Sequence, residues 1–163
     1  MTFQIIKGDL FDPDHNFSAI AQGVNCQGLM GAGIAVRFRE EYPDMYAEYQ
    51  KLCSTNSILL PGSVQFHMVS ASDSRPDVIN LFSQYWKGAN AKQEYLERSL
   101  LAMDTQIKFY TDVVRGLGFS GLQWRVGLPL IGGGIGGLQR HNIIHAMEYI
   151  LSPSEHSYTL VER

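Results

Sequence analysis

The chain has 163 residues, 45% hydrophobic and 18% charged, with 13 Lys and Arg against 16 Asp and Glu and a net charge of −3. That is one domain's length, 1–163, with too much apolar content for a disordered tail. The basic residues are scattered, which argues against the extended basic surface that duplex nucleic acid demands, and two cysteines, Cys26 and Cys53, make neither a disulfide framework nor a zinc site.

The N-terminus enters strand-like sequence directly over residues 2–7, with no basic n-region or apolar h-region, and no apolar run is long enough to span a bilayer. A soluble, cytoplasmic protein without a membrane partner is expected. Residues 18–25 read as a buried strand that ends in a glycine-rich loop, Cys26 to Gly33. A helix follows over 34–42 and stops where Pro43 removes a donor; Pro43-Asp44 then opens a second helix with Met45, Tyr46, Tyr49 and Leu52 on its apolar face. Residues 64–69 and 78–82 are β-rich runs around the polar turn 70–77. Leu96, Leu100, Met103, Ile107, Tyr110, Val114 and Leu117 recur at spacings of four and three, which predicts a long helix. A strand over 124–130, a glycine run, a helix over 138–151 and a strand over 158–161 complete the chain. The order β-β-α-α-β-β-α-β-α-β predicts a three-layer α/β/α sandwich on a mixed, mostly parallel sheet.

Nine of the sixteen glycines fall in two clusters, Gly23, Gly28, Gly31, Gly33 and Gly132, Gly133, Gly134, Gly136, Gly137. Each follows a strand and leads into a helix, where backbone N–H groups can approach an anion closely and the helix end adds partial positive charge. Two such loops at one sheet edge could clamp a phosphate or diphosphate; either could also serve only as a tight turn. Gly132, Gly134 and Gly137 satisfy G-x-G-x-x-G, but no further βα units follow to complete a dinucleotide fold, and no P-loop sequence exists.

Gly8-Asp9-Leu10-Phe11, the stretch from Gly23 to Ala35 with Met30-Gly31-Ala32-Gly33-Ile34-Ala35 at its end, and Leu128 to Gln139 together resemble a macrodomain over nearly the whole chain. The similar branch holds terminal ADP-ribose glycohydrolases, DNA ADP-ribosyl glycohydrolase antitoxins and yeast-type ADP-ribose 1″-phosphate phosphatases. The resemblance implies an ADP-ribose or 1″-substituted ADP-ribose ligand. It assigns Asp9, followed by Leu10, to the adenine amine, which suits an acceptor-only carboxylate, and Asn25 to the distal ribose. The loop Met30, Gly31, Ala32, Gly33, Ile34 and the loop Ile131, Gly132, Gly133, Gly134, Ile135, Gly136 would bracket the diphosphate. Two departures bear on catalysis. Gln84 stands where the glycohydrolases carry a lysine, with Lys87 out of register, and Gly136 stands where one lysine-dependent subgroup carries an aspartate. Gln22, expected among the ligand-binding residues, stands where the yeast-type phosphatase has a histidine.

A side-chain nucleophile is therefore not evident, and a water positioned by Asn25 and Gln84 is the expected nucleophile. Hydrolysis of ADP-ribose 1″-phosphate is the first expectation. An ADP-ribosyl hydrolase, an O-acetyl-ADP-ribose deacetylase and a non-catalytic reader are the alternatives, and neither cofactor nor metal is expected. His67 reads as a sheet histidine, and His141 and His145 read as a helix surface without a third ligand. Tyr85 and Trp86 are placed either over a ligand or in local packing.

Overall fold

The structure, a computed structural model, describes residues 3–163. Thr2, the expected first residue of the first strand, lies outside the described residues. The elements are β1 (Phe3–Lys7), β2 (Ala19–Val24), α1 (Ile34–Glu41), α2 (Pro43–Asn56), β3 (Val64–His67), β4 (Asp77–Phe82), α3 (Gln93–Gly116), β5 (Arg125–Leu128), α4 (Arg140–Leu151) and β6 (Ser157–Glu162). The expected order holds, with shifts at the ends. β5 is shorter than 124–130 because Pro129 has no N–H for the ladder. α4 begins at Arg140 rather than 138, after a short 3₁₀ turn at Gly134–Gly136. α1 ends one residue early, and Pro43 opens α2 at the break.

The six strands lie in the order β1-β6-β5-β2-β4-β3, with every neighbour parallel except β3, which pairs antiparallel with β4. Strand alternation sorts β2 between two cores. Ala19 and Ala21 face α3 and α4, beside Ile79, Leu81, Leu100 and Met103. Ile20 and Val24 face α1 and α2, beside Phe38, Met45 and Tyr49. The stripe of α3 is buried from Leu96 through Ile107 to Thr111, but it does not extend to the expected Leu117, which is 72% exposed on the last overhanging turn.

This topology places the functional edge. From β5 the chain runs through α4 to β6 on one side; from β2 it runs through α1 and α2 toward β3 and β4 on the other. The adjacent strands β5 and β2 therefore form a switch point, and a crevice opens outside their carboxyl ends. The glycine loops 25–33 and 129–137 leave from those two ends.

Candidate functional site

Along this edge a cleft of about 450 Å³ is lined by Asp9, Leu10 and Phe11 after β1, Gly33, Ile34 and Arg37 at the start of α1, Pro129 and Leu130 after β5, and Glu162 and Arg163 at the end of β6. The glycine loops meet across it: a Cβ built on Gly33 would stand 3.3 Å from Ile135 Cδ1. Gly33 caps α1 with φ 62 and ψ −149, a conformation closed to side-chain-bearing residues. Among the described residues, the N–H groups of Gly31, Ala32, Gly33, Gly134 and Ile135 donate to no protein acceptor. Two banks of unspent donors, one leading into α1 through its N-cap Gly33, make an arrangement that can accept an anion.

Asp9 is held more tightly than its sequence position reveals. Arg37 Nη1 bridges both its oxygens at 2.9 and 2.8 Å, and the Phe11 N–H donates to Oδ1 at 3.0 Å. These hydrogen bonds, with the charges of Arg37 and Arg163, hold the Asp9 carboxyl below the usual carboxylate range. Oδ2 carries a single one of these bonds, so the carboxylate keeps a free lone pair for an incoming donor. Arg37 in turn donates through Nε to Glu41 Oε2 at 2.6 Å and lies 4.2 Å over the Phe11 ring. Sequence reasoning missed Arg37. The available signal was helical spacing: Arg37 lies three residues after Ile34 and four before Glu41, so a helix that turns Ile34 to the cleft turns Arg37 there too.

At the other end, Asn25 is spent inside its own loop. Its Nδ2 donates to the Leu29 carbonyl at 2.8 Å, and its Oδ1 accepts from the N–H groups of Gln27 and Leu29 and from the Tyr49 hydroxyl. Tyr49, fully buried under α2, also approaches the Asn25 carbonyl at 2.7 Å. Gln84 is spent likewise, donating to the carbonyls of Trp86 and Gly88 at 2.7 and 2.9 Å. The segment it shapes ties the two glycine loops together. The Cys26 N–H and Gln27 Nε2 donate to the Tyr85 carbonyl, while the Ala91 N–H donates to the Gly136 carbonyl. The Cys26 thiol faces the Gln84 carbonyl at 3.4 Å, and burial pushes it up to about 12, far from a reactive thiolate.

Three expected ligand residues do not reach the surface. Gln22 has no exposed area: it stands on the α1/α2 face with Ile20 and Val24 and donates to Asn80 Oδ1 at 3.0 Å. Asn80 donates onward to Gln65, so three strands share a ladder of amides that engages Gln22 Nε2, while Gln22 Oε1 is buried and accepts from no donor among the described residues. Met30 and Ile131 are core residues at 1% and 2% exposure. Leu10 is buried but lines the cleft with its neighbours, whereas Gly132, Gly133 and Gly136, half-buried or buried in the second loop, are not part of the cleft lining. His67 Nδ1 lies 2.9 Å from Glu48 Oε1, outside the site, and His145 stacks on Tyr149. The Tyr85 ring packs against the α1/α2 core and edge-on to Trp86, whose own ring is exposed.

The chain belongs to the Macro domain family, which matches residues 21–147. It is 29% identical over 138 residues to a DNA ADP-ribosyl glycohydrolase of Mycobacterium tuberculosis, covering 84% of this chain and 35% of that protein. It is 38% identical over 72 residues to an ADP-ribose 1″-phosphate phosphatase of Meyerozyma guilliermondii, covering 42% of this chain and 41% of that protein. The chain thus spans about a third of the length of the glycohydrolases it matches. The macrodomain of Thermus aquaticus DarG superposes with a TM-score of 0.79 at 23% identity over 99% of this chain and 97% of that one. Thermosipho africanus DarTG in complex with ADP-ribose superposes at 0.74 and 18% identity over 98% of this chain and 42% of the other. No helix among the described residues is long and apolar enough to cross a membrane.

Proposed function

We propose that the cleft binds ADP-ribose carrying a 1″-phosphate and hydrolyses that phosphate. The observation that carries the reading is the pair of unspent N–H banks, Gly31 to Gly33 and Gly134 to Ile135, which come together where Gly33 approaches Ile135, at the border of a cleft that Gly33 shares with a charged acceptor, Asp9. An anion clamp joined to an amine reader suits a nucleoside diphosphate with adenine at the β1 end. Water is the nucleophile in this reading. Asn25 and Gln84 have their amides spent on the loops, Cys26 is a buried thiol, and no lysine occupies position 84. Water adds to phosphorus, the bond to O1″ breaks, and inorganic phosphate leaves while ADP-ribose keeps a 1″-hydroxyl. The protein's contribution is placement and charge stabilisation by fixed N–H dipoles. Asn25, Tyr49 and Gln84 act by holding the loops at their separation. The test is a substrate panel of ADP-ribose 1″-phosphate, O-acetyl-ADP-ribose, and ADP-ribosylated protein and DNA, each followed by mass spectrometry. Consumption of the first is expected. Consumption of an ADP-ribosylated macromolecule alone would make the protein a glycohydrolase, and binding without turnover of any would make it a reader.

A further inference from the structure

Arg37 carries more contacts in the cleft than an ion-pair partner needs. It lies on the first turns of α1, its guanidinium is stacked on Phe11, Nη1 is spent on Asp9 and Nε on Glu41. Nη2 donates to no protein acceptor among the described residues, and the side chain lines the cleft while remaining 40% exposed. One edge of the fork is therefore fixed and the other is open, with a flat cationic face between them.

Resting on the nucleotide reading above, we infer that Arg37 is the specificity-determining residue for the base: it aims the Asp9 carboxylate at the exocyclic amine and offers the purine a flat face and a free donor. Arg37 Nη1 on both oxygens, at 2.8 and 2.9 Å, and the Phe11 N–H on Oδ1 restrain the carboxylate and leave a lone pair of Oδ2 open. An amino group at that point donates to it. A carbonyl there, as in hypoxanthine, meets oxygen against oxygen. The groups facing Asp9 are Arg37 and, through it, Glu41 from α1, Glu162 and Arg163 from the end of β6, and His15, whose Nε2 stands 2.9 Å from the Asp9 backbone carbonyl. Of these, Arg37 alone lies within hydrogen-bond distance of the carboxylate.

The test is calorimetry at neutral pH with ADP-ribose and its hypoxanthine analogue on the parent, Arg37→Met and Arg37→Lys, with NMR titration of the Asp9 carboxyl alongside. The parent should prefer adenine. Arg37→Met should weaken ADP-ribose by roughly ten- to a hundredfold, the usual worth of a charge-assisted hydrogen bond, and should compress the preference, with the Asp9 midpoint moved up. Arg37→Lys keeps the charge without the flat face; it should largely retain the preference but bind several-fold more weakly. Parent-like affinity and preference in a folded Arg37→Met overturns the inference. If that variant does not fold, parent-like affinity in Arg37→Lys overturns it. A parent that binds neither nucleotide overturns the nucleotide reading itself, and the inference with it.

Discussion

Gly31 and Gly33 sit two residues apart in the same loop, yet they should fail for different reasons when substituted. Gly33 has φ 62 and ψ −149, and its Cβ would press on Ile135 Cδ1 at 3.3 Å. Forcing an L-residue into such a region costs about 1–3 kcal/mol. For a domain of this size each kcal/mol lowers Tm by about 2–4 °C, so Gly33→Ala should melt about 2–12 °C below the parent. Gly31 has no positive φ, and a Cβ there meets nothing within 4 Å, so Gly31→Ala should melt with the parent. Gly31→Glu adds a charge without strain. One like-charge pair at about 5 Å and an effective dielectric near 20 is worth about 3 kcal/mol; screening at this exposed loop reduces it to about 1–2 kcal/mol, roughly tenfold in affinity. Differential scanning calorimetry reads the first effect and isothermal titration with ADP-ribose the second. Gly33→Ala melting with the parent would refute the strain argument. Gly31→Glu binding ADP-ribose at parent affinity would remove this loop from the anion site.

Asn25→Ala should lower ADP-ribose affinity and turnover with little change in Tm, because the loop loses its internal amide while Tyr49 keeps the backbone carbonyl of residue 25; titration and steady-state kinetics separate this from a global loss. Lys87→Ala should leave turnover within about threefold, since that side chain is exposed and out of register with the missing lysine; an inactive variant that still binds would restore a lysine mechanism. His156 is fully buried, accepting from the Trp124 N–H at Nδ1 and facing the Thr111 hydroxyl through Nε2. Burial pushes it below its ordinary 6.5. The unfolded chain therefore takes up the proton first, so stability present above about 6.5 should fall as pH drops through the folded value. Urea melts from pH 8 to 5 should show that slope, and His156→Gln should flatten it.

The order of elements was legible because local chemistry agrees with it: Pro43 divides two helices, and the stripe from Leu96 to Ile107 repeats with helical period. The position of the glycine loops was legible because each sits between a strand and a helix. What sequence could not supply was pairing at a distance. The bond from Arg37 to Asp9 spans 28 residues and exists only because β1 and α1 converge on one edge. Gln22 was placed among the ligand residues by resemblance, but its face is decided by alternation with Ile20 and Val24, where its Nε2 meets Asn80 and its Oε1 meets no donor among the described residues. Asn25 matched a ligand position by resemblance; its amide is committed to Leu29, Gln27 and Tyr49, the last of which is brought in by α2.

The most direct measurement is ³¹P NMR of ADP-ribose 1″-phosphate incubated with the protein in ¹⁸O-enriched water. Water attack on phosphorus should yield ADP-ribose and inorganic phosphate bearing one solvent oxygen, with the diphosphate resonances of ADP-ribose retained. An unchanged spectrum, or solvent oxygen found in the ribose and not in the phosphate, would contradict it.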